Sequence, residues 1–234
     1  MITAIHQPDF LPWIGFFHKA LQAKTLVLFD DVLFPNSPRF GNRVWIKTEQ
    51  GPAWLTVPIR HQHEEFLYNQ AEIAGANWKK MLRTVEHNYR KAPHFDHFFS
   101  TLSSIFFSSD ENLLGLNTRL IDWVLDELGD GPTVCLSSVV CPGPKVDGLE
   151  HILKILKAVG ATEYISGAGM GSRRYVSEDG FVGTGIQLRW QDFKHPIYPQ
   201  LHGSFVSGLS ILDLLMNCGP DSRKVLLGET PNED

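Results

Sequence analysis

The first thirty residues fix the architecture that the rest of the chain must join. Ile2 to Ile5 is a short apolar run and reads as a buried strand. Gln7 to Trp13 contains Pro8 and Pro12 and reads as a loop. Ile14, Phe17 and Leu21 recur at helical spacing across Ile14 to Lys24, and Thr25 to Phe29 is a second apolar run stopped by Asp30-Asp31. Strand, loop, helix and strand in so short a span make a βαβ unit, whose two strands are parallel and whose crossover is right-handed.

The remaining periodicities extend this start. Arg43 to Lys47 and Trp54 to Ile59 read as two strands around a turn at Gln50-Gly51-Pro52, after a turn-rich loop from Pro35 to Phe40. Three helices follow, over Trp78–Lys91, His94–Phe107 and Glu111–Leu128. Leu113, Leu116, Leu120, Val124 and Leu128 form a stripe closed by Gly129. Thr133–Leu136 and Glu163–Ser166 read as strands flanking a helix over Leu149–Val159, a second βαβ-like arrangement, and Leu209–Asn217 is a last helix. The fold class is therefore α/β: a Rossmann-like, mostly parallel sheet with a helical insertion near 78–128. Residues 1–228 read as one such domain, and 229–234 as a loose tail.

Bulk properties exclude several function classes. The formal charge of −5 and the lack of a basic tract argue against a nucleic-acid partner. Cys135, Cys141 and Cys218 are odd in number and show no CxxC spacing, which suits a reducing cytoplasm. No apolar window is long enough to span a membrane, so no membrane insertion is expected.

Three polar clusters stand out. His6-Gln7-Pro8-Asp9, with Trp13, Gly15 and Lys19, lies between the first strand's carboxyl end and the first helix, where open α/β sheets bind ligands. Ser166-Gly167-Ala168-Gly169-Met170-Gly171-Ser172-Arg173-Arg174 follows a later strand, with glycines that admit a close ligand and two arginines suited to phosphate or carboxylate. His195-Pro196-Ile197-Tyr198-Pro199-Gln200 holds polar side chains between prolines, as a recognition loop would. Asp30 ends the second strand and is a candidate for a metal or ribose hydroxyl. Asn42 and Arg43, with Lys47, offer an anion site. His61-Gln62-His63-Glu64 has metal-like alternation but no third ligand nearby, and reads as a solvated loop.

The run HQPDFLPWIGFFHK resembles the opening signature of the WbqC-like family. The likeness continues through Phe29-Asp30-Asp31-Val32, Asn42-Arg43, Trp54-Leu55-Thr56-Val57-Pro58, Asn88-Tyr89-Arg90-Lys91-Ala92-Pro93, Tyr164-Ile165-Ser166-Gly167, His195-Pro196, Tyr198-Pro199-Gln200 and Leu209-Ser210-Ile211-Leu212-Asp213. That resemblance implies a setting in O-antigen-type polysaccharide or secondary-metabolite biosynthesis and no particular reaction. Trp13-Ile14-Gly15-Phe16 also stands where the adenylyl-transferring superfamily carries its H-x-G-H tetrad, with the glycine kept and both histidines absent.

The expectation is an enzyme that uses ATP or another nucleotide with magnesium. It would pass an acyl, aminoacyl or nucleotidyl group to an amine or sugar. Lys19, Arg43, Arg173 and Arg174 would hold phosphates, aided by main-chain amides near Gly15 and Gly169. His6 or His195 would take a proton, and Asp9 or Asp30 would orient a hydroxyl or metal. Gln7, Trp13, Asn42, Ser166, Gly167, Ser172, Tyr198 and Gln200 complete the candidate site. The alternative is a non-catalytic sugar-nucleotide-binding or scaffold protein of the same pathway.

Overall fold

A computed structural model describes residues 1–34, 41–60, 65–108, 112–143 and 148–229. The 35–40 loop, the His61-Gln62-His63-Glu64 run and residues 230–234 of the expected tail lie outside these.

The opening unit forms as β1 (Ile2–His6), α1 (Ile14–Leu21) and β2 (Thr25–Leu28), with β1 and β2 parallel. Helix α1 ends before the expected Lys24 because the Lys24 amide already donates to the carbonyl of Ile2 in the sheet, at 2.9 Å. The hairpin β3 (Arg43–Thr48) and β4 (Gly51–Thr56) is antiparallel and forms a separate two-stranded sheet. The insertion comprises α2 (Trp78–Tyr89), α3 (Phe95–Phe107) and α4 (Leu113–Leu128). Asn77 and Asn112 cap α2 and α4 by accepting the amides of Lys80 and Gly115 at 2.9 and 3.0 Å.

The chain then adds β5 (Thr133–Leu136), α5 (Ser137–Val140), α6 (Gly148–Ala158), β6 (Glu163–Ser166), α7 (Met170–Arg173) and β7 (Gln187–Trp190), and closes with α8 (Ile211–Cys218) and α9 (Ser222–Leu227). The main sheet has five strands, all parallel, in the order β5-β2-β1-β6-β7. The second βαβ arrangement forms, with β5 and β6 parallel in one sheet but not adjacent in it. Strand β5 lies at the sheet edge and β6 on the far side of β1, so α6 crosses over β2 and β1 rather than joining neighbours. Strand β7 escaped the apolar pattern because Gln187 and Arg189 are polar, and Arg189 binds Glu163 and Gln22.

Strand alternation divides the interior. Ala4, Leu26 and Leu28 join a large core with α1, the insertion, the hairpin and α8. Ile5 and Val27 face a smaller core with α6, Tyr164 and Phe181. The strand order turns back on itself between β1 and β6, and a doubly wound sheet opens a crevice beyond the carboxyl ends at that point.

Candidate active site at the strand carboxyl ends

His6 closes β1 with its ring edge-on to Phe16, the centroids 4.8 Å apart. Its Nδ1 lies 3.0 Å from the carbonyl of Gln7. A carbonyl only accepts, so Nδ1 carries the proton and Nε2 keeps its lone pair. Burial pushes the imidazole down to about 3, the charge of Lys19 adding to it and the Gln7 carbonyl opposing. His6 is thus a neutral base at physiological pH.

Beneath it, Lys19 of α1 is only 3% exposed and donates from Nζ to the carbonyl of Ile5 at 3.0 Å. Burial pushes its ammonium down to about 7, opposed by the charge of Asp9. Burial likewise pushes the Asp9 carboxyl up to about 7, against the hydrogen bond from Tyr68 Oη at 3.2 Å and the charge of Lys19. Asp9 Oδ2 is 3.8 Å from His6 Nδ1. The loop carrying Asp9 is held in a strained shape. Leu11 adopts φ 41°, in the left-handed region, while Asn117 grips the Pro8 carbonyl at 2.6 Å and Ser210 the Leu11 carbonyl at 3.0 Å. Burial, opposed charges and backbone strain coincide at one strand end, the usual mark of a working site.

Across the crevice, β1 pairs with β6 through Ala4 and Ile165. Ser166 ends β6 one residue past that pair and Gly167 follows it, on the strand next to the one that His6 closes. A side chain at Gly167 would meet Ser172 Oγ at 3.0 Å, so the serine of α7 packs closely against this turn. Arg173 lies over the Trp190 ring at 4.3 Å and binds the Ala168 carbonyl through Nε at 3.1 Å. Arg174 is exposed, and its guanidinium makes no hydrogen bond or ion pair among the described residues.

The model of the WbqC-like protein family matches residues 7–225, from the crevice loop to the last helix. The chain belongs to the WbqC-like family. Uncharacterized protein Rv1507c of Mycobacterium tuberculosis is 33% identical over 233 residues, covering 96% of each chain. No solved structure matches. No helix among the described residues is long and apolar enough to cross a membrane.

Within this WbqC-like chain the candidate residues divide into groups. His6, Gln7, Asp9 and Lys19 converge at the end of β1, and Ser166, Gly167, Gly169, Ser172, Arg173 and Arg174 follow the adjacent strand. Lys19 does not extend toward a phosphate as expected: it is sealed under the strand and acts on the site through its charge. Nor is Gly15 an open amide cradle. The Trp13 indole lies over it, so a side chain there would meet the ring at 2.3 Å.

Asp30 does not suit a metal or ribose. Oδ1 accepts from Ser137 Oγ and the Ser138 amide, both at 2.9 Å, and Oδ2 from Ser138 Oγ at 2.6 Å and Asn69 at 3.3 Å. No group of three or more His, Cys, Asp or Glu among the described residues could hold a metal. Asn42 is used by the Val57 carbonyl at 2.8 Å.

The third cluster is structural. His195 accepts the Gly208 amide at Nε2, 3.0 Å, and its Nδ1 lies 2.9 Å from the Pro196 carbonyl, so both ring nitrogens are engaged. Gln200 joins buried Lys47 at 3.0 Å, and Lys47 also reaches the Ser204 carbonyl at 2.6 Å. Tyr89 links the Lys47 amide to Asp213, whose carboxyl burial pushes up. Tyr198 lies within reach of Asp213 and Gln200, and burial pushes its hydroxyl well up. These residues lock the 195–208 loop onto β3 and α8.

Two polar contacts lay beyond sequence reasoning. Tyr68 sits in a short 3-10 turn with no motif, yet reaches Asp9. His151 of α6 binds Asp31 Oδ2 at 3.2 Å, and Ser137 binds Asp31 Oδ1 at 2.5 Å. The Asp30-Asp31 pair was a visible signal, but no spacing rule connects it to a helix residue so far along the chain.

Proposed function

We propose that this WbqC-like protein is a group-transfer enzyme acting on a phosphate-bearing, nucleotide-type substrate at the crevice between β1 and β6. The carrying observation is the neutral His6 imidazole, with Nε2 unprotonated, at the strand end beside the Ser166–Gly169 turn. His6 Nε2 accepts a hydrogen bond from an incoming amine or hydroxyl and orients it. Asp9 and Lys19, each brought near neutrality, hold or release a proton beneath it, and Tyr68 keeps the Asp9 carboxyl aimed. Arg174 supplies the free cation for phosphate oxygens, and magnesium arrives on those phosphates rather than on Asp30. The acceptor class, an amine or sugar of a polysaccharide or secondary metabolite, follows the setting that the family resemblance implies, with cytoplasmic location accordingly.

The test is a thermal-shift screen with ATP, CTP, UDP-sugars and dTDP-sugars, with and without magnesium. A ligand at about 100 times its Kd stabilises by roughly 2.7 kcal/mol. A shift that disappears in Arg174→Ala supports this reading. Binding without turnover in the parent protein favours the sugar-nucleotide carrier, and no shift with any nucleotide removes the nucleotide from the proposal.

A further inference from the structure

The run Asn88-Tyr89-Arg90-Lys91 ends α2, and the crevice uses none of it. Its first two residues are buried and bonded. Tyr89 Oη accepts the Lys47 amide at 2.9 Å and donates to Asp213 at 3.1 Å, and Asn88 Nδ2 donates to the Thr84 carbonyl at 2.7 Å. Its last two residues are exposed. With His87 from the same helix end, Arg90 and Lys91 line a cavity of about 260 Å³. Glu49 of the β3–β4 turn, Leu201 and His202 close its other sides.

His202 is the fixed wall. It stands at φ 59°, in the left-handed region that favours glycine. Its Nε2 lies 2.7 Å from the Asn88 carbonyl, which only accepts, so Nε2 carries the proton. Nδ1 has no partner among the described residues. Buried Lys47 pins the same turn from beneath, through Gln200 and the Ser204 carbonyl. A non-glycine residue stays in that region only when its surroundings over-determine it, and such residues gather at ligand clamps. The cations facing it are unspent. Among the described residues, the side chains of His87, Arg90, Lys91 and Glu49 make no hydrogen bond or ion pair. The carboxyl end of a helix attracts cations, which accounts for the sign of these charges but not for the cavity or the strained histidine. The chain as a whole carries −5, so this positive concavity is local.

We infer that this cavity binds a small phosphate monoester bearing hydroxyl groups, of the sugar phosphate class, at a site that shares no residue with the crevice and does not rest on the nucleotide reading above. Arg90 and Lys91 together match a dianionic phosphoryl group, the guanidinium by its fork and the ammonium as a point charge. His87 adds a ring N–H donor. His202 Nδ1 and the Glu49 carboxylate accept from the hydroxyls of the guest. The volume lies below the roughly 300–1,000 Å³ of sites for drug-sized ligands, so the guest is small. Leu201 is the single apolar side chain among the described lining residues, so a lipid chain or a nucleobase finds little to bury against.

The test uses the full chain isotope-labelled at histidine, with its ten imidazole resonances followed by NMR at constant pH and ionic strength. The signals of His87, His202 and His6 are assigned from His87→Gln, His6→Gln and His202→Asn, asparagine being tolerant of the left-handed region. Glucose 1-phosphate and glycerol 3-phosphate are titrated in, with glucose, inorganic phosphate and acetate as controls. The expectation is that the His87 and His202 signals move with both monoesters, about tenfold more tightly than with any control. Arg90→Gln combined with Lys91→Gln should abolish that response and leave the other imidazole signals in place, reporting an intact fold. Arg174→Ala, in the crevice, should leave the response unchanged. An equal response to inorganic phosphate would reduce the cavity to a simple anion site and overturn the proposal. So would silence at both resonances up to about 10 mM monoester, or a response that survives the double substitution. Movement of the His6 signal alone would put the ligand in the crevice and overturn it too, while leaving the nucleotide reading intact.

Discussion

The Lys19 ammonium lies under the His6 strand end, bound to the Ile5 carbonyl at 3.0 Å, and shares a buried loop pocket with the Asp9 carboxyl. Burial draws an acid and a base of very different ordinary strength both to about 7, and the charge of each opposes the other's shift. This coupling makes the crevice sensitive to pH in a way that can be worked out by sign.

Asp9 stands above its ordinary 3.8, so its folded form holds the proton more tightly. The stability this gives is complete below about 4 and is lost as pH rises to about 7. His6 stands below its ordinary 6.5, so its contribution is present above that value and is lost as pH falls toward 3. The two slopes oppose each other between pH 4 and 6.5. Asp9→Asn removes one of them. The variant's unfolding free energy relative to the parent should therefore climb from pH 4.5 to pH 7.5, by an amount on the order of a few kcal/mol. A difference that stays constant with pH would mean that Asp9 titrates normally.

Gly15→Ala places a methyl group against the Trp13 indole at 2.3 Å. Overpacking of this kind costs about 1–3 kcal/mol. Urea unfolding should show the loss, and Trp13→Leu should restore much of it by vacating the space. If Gly15→Ala is neutral, the indole is free to move and Gly15 has another reason to be there.

His151→Phe leaves Asp31 buried with one donor fewer. Leaving a buried polar group short of one hydrogen-bond partner costs roughly 1–3 kcal/mol. Asp31→Asn in the same background should recover part of the loss, because the uncompensated charge goes with it. A double-mutant cycle with no coupling would show that His151 and Asp31 do not interact in solution.

Lys47→Met strips the cation from Gln200 and the Ser204 carbonyl while keeping the backbone amide that meets Tyr89. We expect a similar loss of stability and faster proteolysis within the 195–208 loop. His195→Ala should open the same loop by releasing the Gly208 amide. If His195→Ala instead removed turnover while the loop stayed protected, His195 would return to the chemistry.

Sequence by itself determined the local elements and their order. Apolar periodicity located β1, α1, β2, β5, β6 and the three inserted helices, because burying a strand or a helix face leaves its period in the chain. The same logic marked the His6–Asp9 loop and the Ser166–Arg174 turn, since prolines, glycines and polar groups clustered after buried strands have few other uses. Only the tertiary structure decided which strands are neighbours. Nothing in the β5–α6–β6 segment tells the chain to cross over β2 and β1, yet that crossing makes β6 the neighbour of the strand that His6 closes. It also decided which polar groups remain available. Asp30, Gln200 and His195 look like ligands in one dimension, but Asp30 is bonded to Ser137, Ser138 and Asn69, Gln200 to Lys47 and Val206, and His195 to Pro196 and Gly208. Arg43, Trp45 and Trp54 share a face only because the hairpin's other side is buried. Long-range packing assigns a side chain to solvent, to core or to a partner, and that assignment leaves no local trace in sequence.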